Sequence, residues 1–228
     1  AVIPQDAVTT ELELIVSSDA SENVAVTAVH ARILLRDGSY RAQLIAAKSK
    51  VVRGLTVPRA ELKAAVMGAV LAAVVRKNFG PACAGAIHVT DSAICMFWLN
   101  QDERPLQVAV RNAVIEILQF TARSQWFHIE SPNNIADLGT RRACIDDIKQ
   151  TSDWQRGKPW MRLPFVDMPI RSAQQLTLNG EEKRAAALEM RAPDISGHHF
   201  QFLSSKVADR YAVADYLLDP CRFHWDKV

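Results

Sequence analysis

No two cysteines stand close enough in this sequence to make a CxxC. Cys83, Cys95, Cys144 and Cys221 are widely scattered, so no disulfide framework or zinc knuckle can be read from them, and a reducing compartment is the default. His198, His199, Cys221 and His224 match no compact zinc-ligand spacing, and satisfied or exposed side chains are expected there. A signal-peptide pattern is lacking. The longest apolar run, Ala64–Val75, is too short to span a bilayer and reads as a buried helix. Charge of one sign is lacking too: the net charge is +2 over 228 residues, too mild to announce a nucleic-acid binder. The chain begins at Ala1 without methionine, and the expectation is a piece cut from a longer polypeptide.

What is present points to a packed core. Hydrophobic residues make up 49% and charged ones 23%, which suits one substantial domain with an appendage rather than disorder. Positive charge is concentrated locally. Arg36, Arg41, Lys48, Lys50, Arg53, Arg59 and Lys63 form a basic stretch interrupted only by Asp37 and Glu61. Such a stretch is either a solvated face or a surface that tracks phosphates.

Glu11–Val16 alternates charged and apolar residues and runs into Ser17-Ser18-Asp19, which predicts a strand ending on a carboxylate. Asn23–Leu35 predicts a second strand, Asp37-Gly38-Ser39 a hairpin turn, and Tyr40–Val51 a third strand. A helix is expected from Thr56-Val57-Pro58 to Lys77, with proline in its first turn and Glu61 also placed there. Ala86–Val89 is a strand leading to Thr90-Asp91-Ser92, and a short helix follows to Leu99. Val108–Thr121 repeats apolar residues at helical spacing, and Gln125–Glu130 reads as a last strand. Ser131–Asn134 is a turn opening a helix that holds Asp137 and continues through Arg141. The order is βββαβααβα, an α/β mixed sheet in which an antiparallel three-strand meander is joined by parallel strands and flanked by helices.

Four carboxylates occupy element ends in this scheme: Asp19, Glu61, Asp91 and Asp137. A buried, unpaired carboxylate is costly, although Asp91 or Ser92 could simply cap the helix that follows. A chemical reason for the whole set exists. Two divalent ions about 4 Å apart need several carboxylate oxygens when they clamp an in-line phosphoryl displacement, and carboxylates suit hard Mg²⁺.

Ser18-Asp19-Ala20-Ser21, Pro58-Arg59-Ala60-Glu61-Leu62, Thr90-Asp91-Ser92 with Trp98-Leu99, and Asn134-Ile135-Ala136-Asp137-Leu138 with Arg141 occur in that order. Together they resemble the ribonuclease H family, and in detail the ribonuclease H domain of BEL/Pao-type LTR retrotransposon polyproteins. The resemblance covers roughly residues 8–142. It implies a ribonuclease H-like domain over 1–142, followed by a connector toward integrase over 143–228. It implies a catalytic and metal-binding tetrad of Asp19, Glu61, Asp91 and Asp137 that holds two Mg²⁺ ions, with Mn²⁺ as a substitute. Asp19 would serve both ions, Asp137 the ion that activates water, and Glu61 with Asp91 the ion on the leaving-group side. The implied reaction is endonucleolytic hydrolysis of the RNA strand of an RNA/DNA hybrid during reverse transcription. Lys48, Lys50, Arg53, Arg59, Ser92 and Asn134 are the implied nucleic-acid contacts. The implied partners are the reverse transcriptase and integrase portions of the same polyprotein, in a cytoplasmic virus-like particle with no membrane involved.

Two departures are visible. Many relatives carry a mobile histidine in the loop before the last aspartate, whereas Glu130-Ser131-Pro132-Asn133-Asn134 has none. His128 lies in the strand pattern beside Trp126, and a packed or hydrogen-bonded role is expected for it. Glu130 also stands where BEL/Pao sequences tend to have proline. Beyond residue 142, Trp154–Pro169 interleaves tryptophan and proline and is expected to pack in extended form across a domain surface. Leu178–Arg191 and Ser205–Leu218 have helical composition, and Asp219–Lys227 resembles the lead toward integrase. Residues 143–228 carry 12 basic and 12 acidic residues, so no net pull toward nucleic acid is expected from them.

Two other function classes share parts of this pattern. Integrase- or transposase-type polynucleotidyl transferases normally use three carboxylates with glutamate last, whereas here glutamate comes second and Asp137 last. A catalytically silent or domesticated binding module typically loses one or more of the acids, and this chain keeps all four.

Overall fold

A computed structural model describes residues 4–9, 11–101, 106–141 and 143–190. Its first strand, β1 (Leu12–Ala20), is buried on both faces for most of its length. That requirement explains the unbroken Leu-Ile-Val core of a segment that begins by alternating. β2 (Val24–Leu34) pairs antiparallel with β1, and β3 (Tyr40–Val51) pairs antiparallel with β2. The β2–β3 turn places Gly38 at a φ of 83°, and Asp37 Oδ1 accepts from the Ser39 amide at 2.9 Å.

α1 (Val57–Phe79) carries Pro58 in its first turn and stops at Gly80, whose φ is 57°. Glu61 is its fifth residue, so the first turn holds no acid. The expected benefit from the helix dipole at that site is therefore replaced by the hydrogen bond described below. α1 lies unusually close to the sheet: a Cβ on Gly68 would come within 2.7 Å of Ser18 Oγ and 3.0 Å of Thr27 Oγ1. β4 (Cys83–Thr90) joins β1 in parallel, and α2 (Ala93–Asn100) and α3 (Val108–Phe120) follow. α3 buries Val110, Val114 and Ile117, one face of a helix at the spacing read from the sequence.

β5 (Trp126–Ile129) runs parallel to β4, and α4 (Asp137–Thr140) is a single turn, shorter than the helix expected there. The sheet does not end at β5. After α5 (Asp153–Arg156), β6 (Ile170–Arg171) pairs antiparallel with it, Ile129 opposite Ile170. The strand order is β3-β2-β1-β4-β5-β6. Its 3-2-1-4-5 part, with an antiparallel meander, parallel β4 and β5 and flanking helices, is a ribonuclease H-like fold. α6 (Gly180–Leu188) closes the described chain, with Asn179 capping its amides. The helical segment expected over Ser205–Leu218, the four-residue zinc alternative and Asp219–Lys227 lie outside the described residues.

Each face of the sheet has its own cover. On one, α1 packs Ala72 and Val75 against Leu14 and Val16, while α2, α3 and Trp126 extend the same layer. On the other, Ile15, Ile87, Val89, Ile129 and Ile135 are covered by Trp160, Met161 and Met168. The Trp154–Pro169 segment thus supplies one apolar layer of the fold. Arg32, 1% exposed, anchors that segment. It donates to Glu13 Oε2 at 2.6 Å and to the Leu163 carbonyl at 2.7 Å, and lies 4.2 Å from the centre of the Tyr40 ring. A buried guanidinium is tolerated because these partners satisfy it. No described helix is long and apolar enough to cross a membrane.

Candidate active site

β1 and β4 are parallel neighbours, so their carboxyl ends lie side by side, with Ser18 paired to Thr90. Asp19 extends from the first end and Asp91 from the second, before Ser92 caps α2 by accepting from the Cys95 amide at 3.1 Å. α1 brings Glu61 to the same edge, and α4 begins with Asp137. The strand ends of a rigid sheet are where such sites are held most firmly.

The four acids feel one another. Burial holds the Asp19 carboxyl above its ordinary range, and the charges of Asp91 and Asp137 push it further while Thr140 opposes them. Burial pushes Glu61 up to about 7, with Asp91 and Asp19 adding to the rise and the Ser92 hydrogen bond resisting it. All four acids are therefore coupled through Asp19 and Asp91.

Each acid is also held by a hydrogen-bond donor. Ser92 Oγ donates to Glu61 Oε2 at 2.6 Å, and Asn134 Nδ2 donates to Asp91 Oδ1 at 3.0 Å. Thr140 Oγ1 donates to Asp19 Oδ2 at 2.6 Å, and Arg141 Nε to Asp137 Oδ1 at 2.7 Å. Sequence reading placed Ser92 and Asn134 among nucleic-acid contacts. In the fold both are buried and their side chains are spent on the acids. Thr140 was missed altogether, since a lone threonine three residues after an aspartate gives no signal before the turn is known to face β1.

The implied Mg²⁺ can be tested against this donor set. It is all oxygen and all carboxylate, the chemistry of a hard divalent cation. Burial, with the neighbouring acids' charges adding to it, has raised two of its members, and a cation would relieve the repulsive part. As the side chains stand, no three His, Cys, Asp or Glu among the described residues are gathered into a metal-holding cluster. The residues fit the ion by chemistry and position, with the carboxylates turned onto their protein donors.

The expected nucleic-acid contacts divide. Lys48 and Lys50 are exposed on β3, two residues apart and therefore on one face, and Arg53 is exposed just beyond. Arg59 is engaged: Nε and Nη2 donate to Glu189 at 2.8 and 2.6 Å, and Nη2 also to Gln107 Oε1 at 2.9 Å. His128 is buried and hydrogen-bonded, its Nε2 3.1 Å from the Asp91 carbonyl and its Nδ1 3.3 Å from Arg171 Nη2. Burial, aided by the Arg171 charge, lowers its pKa. Arg171 in turn pairs with Glu130.

The sheet order, with the four acids at its carboxyl edge, is that of a ribonuclease H-like fold. Residues 2–92 match the family model described as the Pao retrotransposon-like RNaseH-like domain. Asp19, Glu61 and Asp91 fall inside the matched segment and Asp137 beyond it. No curated protein matches the chain significantly. Among solved structures it is similar to the N-terminal RNase H domain of a Mycobacterium tuberculosis protein, solved as a fusion with maltose binding protein. That match has 11% identity, covers 54% of this chain and 86% of that one, and has a TM-score of 0.35. RNase H1 from the halophilic archaeon Halobacterium salinarum matches at 14% identity over 60% of this chain and 98% of that one, also with a TM-score of 0.35.

Proposed function

We propose that this chain is a Mg²⁺-dependent endonuclease that hydrolyses the RNA strand of RNA/DNA hybrids during retrotransposon reverse transcription. The observation that supports the reading is that acids from β1, α1, the end of β4 and α4 share one edge of the sheet, close enough for their charges to bear on one another. Asp19 feels Asp91 and Asp137, and Glu61 feels Asp19 and Asp91. A fold gains nothing in stability from gathering like charges; a divalent-cation site needs them.

Asp19, Glu61, Asp91 and Asp137 would hold two Mg²⁺ ions. When bound, the ions supply Lewis-acid stabilisation of the charge that develops at the scissile phosphate. The chain's own residues orient the acids through Ser92, Asn134, Thr140 and Arg141. Lys48, Lys50 and Arg53 hold backbone phosphates without reading sequence. Hydrolysis leaves 5′-phosphate and 3′-hydroxyl ends, and selection of the RNA strand rests on its 2′-hydroxyls and on groove shape. The working context is the retrotransposon polyprotein, beside its reverse transcriptase and integrase portions in a cytoplasmic virus-like particle.

The test is cleavage of an end-labelled RNA/DNA hybrid by the full chain in Mg²⁺, with duplex DNA as competitor. Internal cuts confined to the RNA strand and abolished by chelation are expected. Folded protein that leaves the hybrid intact in both Mg²⁺ and Mn²⁺ would overturn the reading.

A further inference from the structure

The segment that carries Asp137 contributes more than that one acid. Asn134 is 2% exposed and engages both polar atoms of its amide. One side of the NH₂ group donates to the Ser18 carbonyl at 3.0 Å and the other to Asp91 Oδ1 at 3.0 Å. Its Oδ1 accepts from the Ala136 amide at 3.2 Å. A single planar group therefore ties the end of β1, the carboxylate after β4 and the entry to α4 into one arrangement.

Six residues on, Thr140 reaches the other strand-end acid. Its hydroxyl has one proton and two oxygens within reach, Asp19 Oδ2 at 2.6 Å and the Asp137 carbonyl at 3.1 Å. The shorter, charged acceptor takes the proton, since such bonds to a carboxylate are the stronger kind. Gly139 makes this approach possible. A Cβ there would come within 2.7 Å of Val26 Cγ1, and Val26 is the β2 partner of Asp19. The one-turn α4 thus lies against the sheet at the register position that places Thr140 over Asp19.

We propose that Asn134 and Thr140 are positioning residues of the metal site. They form a brace that fixes Asp91 and Asp19 before any cation arrives, so that the first cation meets a pre-set pair of carboxylates. The proposal rests on the tetrad reading given above, but it concerns how the acids are held rather than what is cleaved. Residues that orient metal ligands in this way typically change metal affinity or activity about 10–100-fold when replaced. Neither residue is required to touch the hybrid, so substrate affinity should be unaffected.

The experiment is a Mg²⁺ titration by calorimetry on the full chain, for wild type, Thr140→Val and Thr140→Ser, with metal-free melting of each. Valine keeps the shape and removes the hydroxyl, whereas serine restores it. The expected result is Mg²⁺ affinity reduced about tenfold in Thr140→Val and recovered in Thr140→Ser, with metal-free melting temperatures alike. In cleavage, Thr140→Val should lower kcat and leave KM for the hybrid unchanged. Asn134→Leu provides a second reading of the brace, with the same weakening of Mg²⁺ binding expected. Wild-type Mg²⁺ affinity in both folded Thr140→Val and Asn134→Leu overturns the proposal while leaving the nuclease reading intact. Hydroxyl-dependent Mg²⁺ binding by a chain that cleaves no hybrid would sustain the brace and sink the nuclease. A wild type that binds no Mg²⁺ sinks both.

Discussion

Arg59, two residues before Glu61 on α1, donates through two nitrogens to the two carboxylate oxygens of Glu189, at 2.8 and 2.6 Å. The pair joins positions 130 residues apart and ties the end of α6 to the helix that carries a site acid. Gln107 strengthens the tie, donating to the Leu188 carbonyl through Nε2 and to the Glu189 carbonyl through its amide. A carboxylate forked by a guanidinium sits in the geometry that a backbone phosphate would take.

Glu189→Gln removes that charge while keeping the shape. Arg59 then becomes available to nucleic acid, and hybrid affinity at low salt should rise a few-fold with a salt slope steeper by about one. Stability should fall by about 1 kcal/mol, since the pair is partly exposed and screened. Filter binding across a salt series reads both quantities. Equal slopes for variant and wild type would mean that Arg59 stays away from the phosphates.

The cover over the second sheet face makes a stability prediction. Trp160 is 5% exposed, packs against the Ile87 and Ile129 layer, and donates to the Asn133 carbonyl at 3.0 Å. Trp160→Ala should cost about 3–5 kcal/mol. Truncation after Arg142 removes Trp160, Met161 and Met168 together, along with the Leu163 carbonyl that Arg32 needs, and should give an aggregating product. Urea denaturation of the substitution and the solubility of the truncation check this. A truncated chain that unfolds with wild-type cooperativity would show that residues 143–190 are dispensable to the fold.

How far the sequence could reveal this arrangement varies by element. β1 to β3, β4 and α3 carry strong periodic patterns, and the hairpin at Asp37-Gly38 is local chemistry. Their limits were accordingly readable to within a few residues. Asp19 and Asp91 were readable as acids at element ends for the same reason, whereas Asp137 was placed by the Ser131–Asn134 turn before it. β6 was invisible, because two residues have no period and Ile170 becomes a strand only through its pairing with Ile129. The Arg59–Glu189 and Arg32–Leu163 ties were equally hidden, since each spans more than a hundred residues and no local rule links their members. Glu61, expected in the first turn of α1, is its fifth residue and opens the second turn.

At the site itself, Asp91→Asn separates electrostatics from catalysis. Asparagine can still accept from Asn134 through its side-chain oxygen, so the brace survives while one negative charge is lost. Without divalent ions the variant should be as stable as wild type or slightly more so, because Glu61 and Asp19 both feel Asp91. With Mg²⁺, single-turnover cleavage should fall about 100-fold or more. His128→Ala should keep most of the rate, since His128 contacts the Asp91 backbone and not its carboxylate. Wild-type rates from Asp91→Asn, or complete loss from a folded His128→Ala, would reverse these roles.

Acid sensitivity of the fold should come from two histidines away from the site. His88 stacks on Trp126 with ring centroids 4.7 Å apart, and its Nδ1 is buried without a partner. Burial, helped by the Arg76 charge, lowers its pKa to about 3. His30, whose Nε2 lies 2.9 Å from the Trp154 carbonyl, is lowered by burial to about 4. Both folded values lie below the unfolded value of 6.5. Between those limits the unfolded chain binds a proton that the folded chain refuses, so the contribution of these two groups is complete above pH 6.5 and is lost as pH falls. Each histidine contributes a slope of about 1.4 kcal/mol per pH unit across its window. His88→Phe preserves a ring against Trp126 and removes one of the two titrations. The loss of unfolding free energy between pH 6 and pH 4, measured in urea, should therefore be smaller in this variant than in wild type. An unchanged difference would assign the acid sensitivity to other groups.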